Sequence, residues 1–180
     1  MSDTLLIDAP RLHIRPLTMA DFEFYYLLQC DPDTMRYIRP PEPDRAVVQE
    51  RVQTLEQYGA AHPGLGSKIA FEKETQVPVA TCVLRHVDYQ PENELELGYI
   101  IVPEFRGRGL ATEITRALAA YAFQRFAVPH VVAVTDPDNL SSQHVLLKCG
   151  FQAIGRRFIY GSECLEFRLN NPGHFPATDR

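Results

Sequence analysis

The sequence has no long apolar run, no closely spaced cysteine pair and no excess of basic residues. A membrane-spanning helix needs about 20 consecutive apolar residues, and no segment of the chain approaches that length. The first residues contain no basic region followed by an apolar core, so we expect neither a signal peptide nor a membrane partner. These absences predict a cytoplasmic protein.

The potential metal ligands show no metal-binding spacing. The four cysteines lie far apart and form no CxxC pair, which argues against a zinc site or a disulfide framework and is typical of cytosolic thiols. The six histidines show no ligand spacing either, so we predict no metal. A net charge of −5 disfavours nucleic acid as a partner, since nucleic-acid binding needs a basic face. The same charge is compatible with a cationic amine or a basic peptide as substrate.

Length and composition predict one globular domain. The chain has 180 residues, of which 45% are hydrophobic and 23% are charged. We expect a single domain over residues 1–180, with a core at about 10–170 and a loose tail at 171–180, where Pro172, Gly173 and Pro176 occur.

The most informative stretch is residues 94–126, which read ELELGYIIVPEFRGRGLATEITRALAAYAFQRF. Its β-branched and aromatic residues predict a strand over 97–102, which Pro103 ends because proline cannot donate a ladder hydrogen bond. Apolar residues at helical spacing predict a helix over 110–127. Strand, turn and helix therefore follow one another directly.

The turn between that strand and that helix has the composition of an anion site. Gly107 and Gly109 let the backbone turn sharply and approach a ligand, while Arg106 and Arg108 add positive charge. The first N–H groups of a helix lack intrahelical partners and carry the positive end of its dipole, which suits a phosphate or pyrophosphate. The turn is neither a P-loop nor GxGxxG, and such turns also occur for structural reasons alone, so both interpretations stay open at this point.

The remaining segments complete a βααβββαβαββ order. Strands are predicted at 11–17, 68–74, 79–87, 130–135, 152–160 and 163–170, helices at 22–28, 45–58 and 141–149, a short helical turn at 33–37 and a polar loop at 88–93. Local hairpins combined with crossover helices imply an α/β fold with a single central mixed sheet and helices on both faces.

Two motifs resemble the GNAT superfamily of N-acetyltransferases. The segment ELGYIIVPEFRGRGLATE is similar to its motif A, in which Arg106, Gly109 and Ala111 match the pattern Gln/Arg-x-x-Gly-x-Gly/Ala. Asn139, Ser142 and the Gly-Phe pair at 150–151 resemble a second signature. The flanking residues and the opening RLHIRPLTMADF are similar to the RimJ/RimL branch, which acetylates protein N-termini. The resemblance covers about residues 10–169 and implies a GNAT-like fold.

The resemblance also implies acetyl-coenzyme A as co-substrate. In that family the turn wraps the pyrophosphate, and the backbone of the preceding strand binds the pantetheine amides. The residues implied to bind acetyl-CoA are Ile100, Ile101, Val102, Arg106, Gly107, Arg108, Gly109, Leu110, Ala111, Thr112, Asn139, Ser142 and Lys148. The segment between the first two helices would line the acceptor pocket, so Met35, Tyr37 and Ile38 either contact the acceptor or only pack.

The chemistry requires a base for the amine and a stabiliser for the departing thiolate. We expect Glu96 to be the base, with Glu94 on the same strand face as the alternative; either could also be a solvated strand-end carboxylate. The family's tyrosine position in the last helix is Leu146 here, so the usual general acid is missing. Ser142 remains, either at the sulfur or as a helix-capping hydroxyl. Tyr99 and Tyr160 are expected to pack.

The resulting hypothesis is an acetyl-CoA-dependent N-acetyltransferase that transfers acetyl directly within a ternary complex. A protein N-terminal amine is the favoured acceptor. The alternatives are a small amine (amino acid, polyamine or antibiotic), a non-catalytic acyl-CoA sensor, which the absent tyrosine keeps open, and a nucleotide-binding module that uses the same turn. The sequence is compatible with a monomer or a homodimer.

Overall fold

One mixed sheet forms the centre of the molecule. The computed structural model describes residues 6–87 and 94–173. Within these ranges the sheet has eight strands in the order β1-β2-β3-β4-β5-β6-β8-β7. They are β1 (Ile7–Asp8), β2 (Leu12–Pro16), β3 (Gly66–Glu72), β4 (Pro78–His86), β5 (Leu95–Ile101), β6 (His130–Thr135), β7 (Gln152–Ile159) and β8 (Ser162–Asn170). Only β5 and β6 pair in parallel, and the other neighbours are antiparallel. The predicted mixed sheet is confirmed.

Five α-helices accompany the sheet in the described ranges. They are α1 (Phe22–Cys30), α2 (Pro32–Met35), α3 (Arg45–Ala61), α4 (Leu110–Phe126) and α5 (Leu140–Lys148). Aspartate and asparagine side chains begin three of them: Asp31 accepts from Thr34 N, Asp44 from Ala46 N and Asn139 from Ser142 N. Helix α4 differs, because its N-cap is Gly109 and no side chain caps it.

The helices lie on both faces of the sheet. Helices α4 and α5 bury their apolar sides in the larger core, where Leu97, Leu118 and Leu146 belong to one cluster. Helices α1 and α3 pack on the opposite face over Ile69 in a smaller cluster. Because side chains alternate along a strand, consecutive residues of β5 serve different faces. Neighbouring side chains of β5 therefore contact groups on opposite faces of the sheet.

The element boundaries differ from the sequence prediction mainly at short elements. The two-residue edge strand β1 was not predicted, because two residues carry no alternating pattern, and it is recognisable only by its pairing with β2. The predicted helical turn at 33–37 is the four-residue helix α2, which begins at Pro32. The predicted polar loop at 88–93 and the predicted tail beyond residue 173 lie outside the described residues.

Candidate active site

The parallel strands β5 and β6 diverge and leave an opening in the sheet. They pair only at Leu95 with Val131 and at Glu96 with Val132. Strand β5 nevertheless continues to Ile101 along β4, and β6 continues to Thr135 along β8. Among the residues that the structure describes, the facing edges of the two strands beyond Glu96 therefore have no ladder partner. An exposed strand edge of this kind can accept an extended, amide-bearing ligand.

Backbone alternation identifies the groups that face this opening. Val102 N donates to Val79 O, and Val87 N donates to Glu94 O, so the even-numbered residues of β5 direct their backbone groups to β4. The backbone groups of Tyr99 and Ile101 consequently face the opening.

This differs from the prediction that the backbone of 100–102 binds the pantetheine amides as a block. Ile101 lies on the open edge, whereas the Val102 N–H is used by β4. The difference arises because sequence reasoning located the strand correctly but not which edge each residue presents.

The first turn of α4 supplies uncapped N–H groups. Gly107 and Gly109 have φ angles of 74° and 78°, the left-handed region that glycine adopts without strain. The N–H groups of Leu110, Ala111 and Thr112 come next, at the positive end of a 17-residue helix and without intrahelical acceptors. The turn thus has left-handed glycines and a helix start without a side-chain cap, and anion binding there stays a prediction.

The two arginines of the turn are held by protein partners. Arg106 donates from Nε to Ile101 O at 3.2 Å and from Nη2 to Thr34 Oγ1 at 3.0 Å. Arg108 Nη2 lies 2.6 Å from Glu72 Oε1. Both side chains are exposed, and each fixes the turn to a neighbouring element. The first backbone N–H groups of α4 are therefore more available as donors at this site than the two arginine side chains.

Helix α5 brings Ser142 to the α4 side of the opening. Asn139 Oδ1 accepts from Ser142 N at 3.1 Å, so this part of Asn139 caps the helix. The Ser142 hydroxyl lies 3.3 Å from the hydroxyl of Tyr99. Burial raises the pKa of Tyr99, which keeps the phenol protonated. Sequence reasoning treated Tyr99 as a packing residue and missed this contact, and its place in the strand beside the open edge was the available signal.

The last turn of α5 packs beside the first turns of α4. Cys149 Sγ lies 3.7 Å from Thr112 O, and the Lys148 carbonyl accepts from Arg116 Nη2 at 3.2 Å. Lys148 is exposed at this junction. Leu146, at the family's tyrosine position, is 1% exposed and belongs to the core.

Glu96 lies on the other face of β5. It is 5% exposed, and its two oxygens have different partners, with Arg85 Nη2 at 3.1 Å from Oε1 and the Tyr160 hydroxyl at 2.8 Å from Oε2. The Arg85 guanidinium also lies over the Tyr160 ring, 5.1 Å from its centroid. Glu96 is therefore a buried, oriented carboxylate, not a solvated one. Tyr160, which the sequence assigned to packing, orients it.

Glu94 lies one step before β5 and is held differently. Its Oε1 is 2.5 Å from His130 Nε2 and 3.4 Å from Arg168 Nη2. Its Oε2 is buried and has no hydrogen-bond partner among the residues that the structure describes. These contacts tie β5 to β6 and β8, at the end of the strands where β5 and β6 still pair.

The three residues that the sequence named as possible acceptor contacts, Met35, Tyr37 and Ile38, differ in exposure. Met35 is fully buried, so it packs and does not line a pocket. Tyr37 is half-buried, and Ile38 is 42% exposed.

No helix within 6–87 and 94–173 is long and apolar enough to cross a membrane. Over the same ranges no cluster of three His, Cys, Asp or Glu side chains could hold a metal ion.

Comparisons with known proteins agree with this geometry. The sequence profile of the acetyltransferase (GNAT) domain matches residues 11–152. An uncharacterized N-acetyltransferase of Bacillus subtilis is 24% identical over 86% of this chain and 88% of its own length. Spermidine N(1)-acetyltransferase of Escherichia coli is 27% identical, with 82% of this chain and 76% of the relative covered.

Solved structures share the fold. An acetyltransferase from Agrobacterium tumefaciens superposes with a TM-score of 0.79 at 24% identity, over 92% of this chain and 94% of that one. RimL, a ribosomal alpha-N-protein acetyltransferase in complex with coenzyme A, has a TM-score of 0.76 at 15% identity, with 92% and 97% covered. The open strand edge and the uncapped helix turn fit acetyl-CoA, and the profile spans most of the chain. The chain belongs to the GNAT acetyltransferase family and is an acetyl-CoA-dependent N-acetyltransferase.

Proposed function

We propose that this enzyme is of the RimJ/RimL type and acetylates the α-amine of a protein N-terminus. The observation that carries the proposal is Glu96, a buried carboxylate oriented by two donors beside the opening between β5 and β6. The fold shared with RimL supports the acceptor assignment. On the Glu96 side, β7 is exposed along nearly its whole length, which leaves room for a chain that continues beyond the reacting amine.

Acetyl-CoA binds along the open edge, with its pyrophosphate at the first turn of α4. The N–H groups of 110–112 donate to the phosphate oxygens, and the backbone of Tyr99 and Ile101 bonds the pantetheine amides. Gly107 and Gly109 allow the close approach. Lys148 lies at the junction of α4 and α5, and Arg106 and Arg108 hold the turn in shape while adding positive charge around it.

The amine attacks from the Glu96 side. Its lone pair forms the C–N bond at the thioester carbonyl carbon, and its proton passes to Glu96 directly or through water. The C–S bond breaks, and the sulfur leaves with the bonding electron pair. No covalent enzyme intermediate forms. The amine loses one proton to the base, and the departing thiolate needs one proton from an acid.

The thiolate departs toward the opposite face of β5. There the Ser142 hydroxyl and the Tyr99 phenol form a hydrogen-bonded pair. The pair stabilises the developing negative charge, and the phenol, protonated at neutral pH, supplies the proton. Base and acid thus stand on opposite sides of the opening, which keeps the two proton transfers apart.

The test is acetyl transfer to defined N-terminal peptides, followed by mass spectrometry, beside spermidine and free amino acids. We expect peptide α-amines to be acetylated with the highest kcat/KM. Calorimetric titration of acetyl-CoA against the wild type and an Arg106→Ala/Arg108→Ala variant gives the state of the co-substrate site independently. If acetyl-CoA binds and a small amine is the better acceptor, the N-terminal assignment is wrong although the enzyme class stands.

A further inference from the structure

Arg11 joins the connection between β1 and β2 to the start of α4. Its backbone is held on both sides, because Arg11 N donates to Glu113 Oε1 at 2.6 Å and Arg11 O accepts from Lys73 N at 2.9 Å. Its side chain donates from Nε to Glu113 Oε2 at 2.8 Å. Glu113 lies in the first turn of α4, and its side chain is only 10% exposed. The guanidinium is therefore anchored beside the glycine turn.

The same guanidinium contacts the backbone of the turn itself. Arg11 Nη1 donates to Arg108 O at 3.0 Å, and Arg11 Nη2 stands 3.7 Å from the place that a Cβ of Gly109 would occupy. The peptide between Arg108 and Gly109 is trans, so its N–H group points away from the side on which Arg11 holds the carbonyl. Within the described residues no backbone carbonyl accepts from Gly109 N. This N–H therefore joins those of 110–112 as an available donor.

The glycines of the turn make this peptide easy to reverse. Glycine adopts positive and negative φ angles about equally well, so a rotation that changes φ of Gly109 from its value of 78° meets no Cβ clash. A reversed peptide would present Arg108 O, in place of the Gly109 N–H, to an approaching phosphate, and the two negative groups would repel each other. The hydrogen bond from Arg11 opposes the reversal, because the carbonyl would lose a charged donor.

We propose that Arg11 is a positioning residue for acetyl-CoA, which holds Arg108 O and so keeps the Gly109 N–H directed to the pyrophosphate. The inference rests on the proposed function, because it takes the pyrophosphate to lie at the first turn of α4. Arg11 acts from the carbonyl side of the peptide and does not contact the ligand. Glu113 supports it by accepting from both Arg11 N and Arg11 Nε. Only the phosphate part of the ligand should depend on Arg11, whereas the pantetheine arm should not.

The experiment compares ligands with and without phosphates, and it requires no turnover. Calorimetry measures acetyl-CoA and 3′-dephospho-acetyl-CoA, and ligand-detected NMR measures S-acetylpantetheine, each with the wild type and Arg11→Gln. We expect Arg11→Gln to weaken both nucleotides alike, by about tenfold, and S-acetylpantetheine by less than about twofold. A loss confined to the ligand with the 3′-phosphate would mean that Arg11 serves that phosphate and would overturn the inference. An equal loss for all three ligands would show a general structural effect and would overturn it as well.

Two further variants separate positioning from charge. Arg11→Lys keeps the positive charge, but one ammonium group cannot hold Glu113 and Arg108 O together as a guanidinium fork does, so acetyl-CoA should still bind at least about fivefold more weakly. Arg156→Gln is the matched control, because it breaks an exposed arginine–glutamate pair, with Glu163 in the β7–β8 hairpin, and should leave acetyl-CoA affinity unchanged. Wild-type affinity in Arg11→Lys would mean that charge alone suffices, which contradicts the positioning role.

A comparison with Gly109→Ala distinguishes failure of this inference from failure of the proposed site. If Gly109→Ala weakens acetyl-CoA binding and both Arg11 variants bind it like the wild type, the pyrophosphate lies at the turn and Arg11 has no part in holding it. If all three variants bind like the wild type, the placement of the pyrophosphate is itself wrong. Amide NMR gives a direct readout, since saturating acetyl-CoA should shift the Gly109 N–H resonance strongly in the wild type and weakly in Arg11→Gln. An equal shift in both proteins would also refute the inference.

Discussion

The Tyr99 hydroxyl lies 3.3 Å from Ser142 Oγ and so joins β5 to the first turn of α5 across the opening in the sheet. Helical side chains lean toward the helix N-terminus, and residues four apart lie on one face. A tyrosine at the position of Leu146 would therefore direct its hydroxyl toward Ser142. In this chain Leu146 fills the core, and the phenol arrives at the same helix face from the strand.

Replacing Tyr99 by phenylalanine removes this hydroxyl alone. Loss of a positioned proton donor is expected to lower kcat by about 100-fold, because such groups contribute about 10²–10⁴-fold. Acetyl-CoA affinity should stay within about twofold, since the ring that packs beside the opening remains. Stopped-flow kinetics and calorimetry measure the two quantities.

Tyr26→Phe is the matched control, because it also removes one phenolic hydrogen bond, to Pro43 O, away from the opening. It should leave kcat unchanged. A Tyr99→Phe enzyme with wild-type kcat would mean that Ser142 acts without the phenol.

The two carboxylates of β5 should separate by function. Glu96→Gln keeps the size but removes the base and the charge that pairs with Arg85, so kcat/KM is expected to fall about 100-fold and Tm to fall as well. Glu94→Gln weakens the contacts to His130 and Arg168 and should lower Tm while activity persists. Differential scanning calorimetry and initial rates on one acceptor resolve this. The opposite pattern would make Glu94 the base.

The sequence predicted the elements well because their signals are local. The apolar stripe of α4 and the alternation of the strands depend on neighbouring residues, so the mixed sheet and the glycine turn were predictable. The resemblance added the expectation that Asn139 and Ser142 belong to the site. In the structure the two residues share one helix turn, where Asn139 Oδ1 accepts from Ser142 N, and their part in the site stays a prediction.

The site's partners could not be predicted because they are distant in the chain. Tyr160 reaches Glu96 from the β7–β8 turn, 64 residues away, and Tyr99 meets Ser142 across 43 residues. Which edge of β5 faces the opening depends on the register with β4, which no single strand encodes. The role of Arg106 was predicted as phosphate binding, whereas its contacts with Ile101 and Thr34 appear only in the folded chain.

The Arg15–Asp21 pair should make stability depend on pH. Burial alone would raise the pKa of Asp21, but the hydrogen bonds from Arg15 and Thr18 outweigh it and hold that pKa below its ordinary value. A depressed carboxyl pKa stabilises the fold above the unfolded-state pKa, about 3.9, and this stability is lost as pH falls through the folded-state pKa.

Asp21→Asn is therefore expected to lower the free energy of unfolding by about 2 kcal/mol at pH 7. The difference from the wild type should shrink below about pH 4. Urea unfolding between pH 3 and 7 measures it. Asp8→Asn, which breaks an exposed pair with Lys73, should change stability by less than about 0.5 kcal/mol at every pH. A difference for Asp21→Asn that is constant down to pH 3 would contradict the linkage.

The glycine turn before α4 offers a test that separates strain from binding. Gly107, Gly109 and Gly161 all have φ angles between 74° and 83°, and no backbone atom lies close to where a Cβ would stand. Alanine at each should therefore cost about 1 kcal/mol of unfolding free energy through left-handed strain alone.

Only the first two positions adjoin the free N–H groups of α4. We expect Gly107→Ala and Gly109→Ala to weaken acetyl-CoA binding by at least about tenfold, because a methyl group at the turn blocks the close approach of the phosphates to the backbone. Gly161→Ala, in the β7–β8 turn, should lose the same stability and keep its affinity. Chemical denaturation and calorimetric titration of all three variants give both quantities. Equal affinity losses would indicate a general effect of destabilisation, and no loss at 107 and 109 would move the pyrophosphate away from this turn.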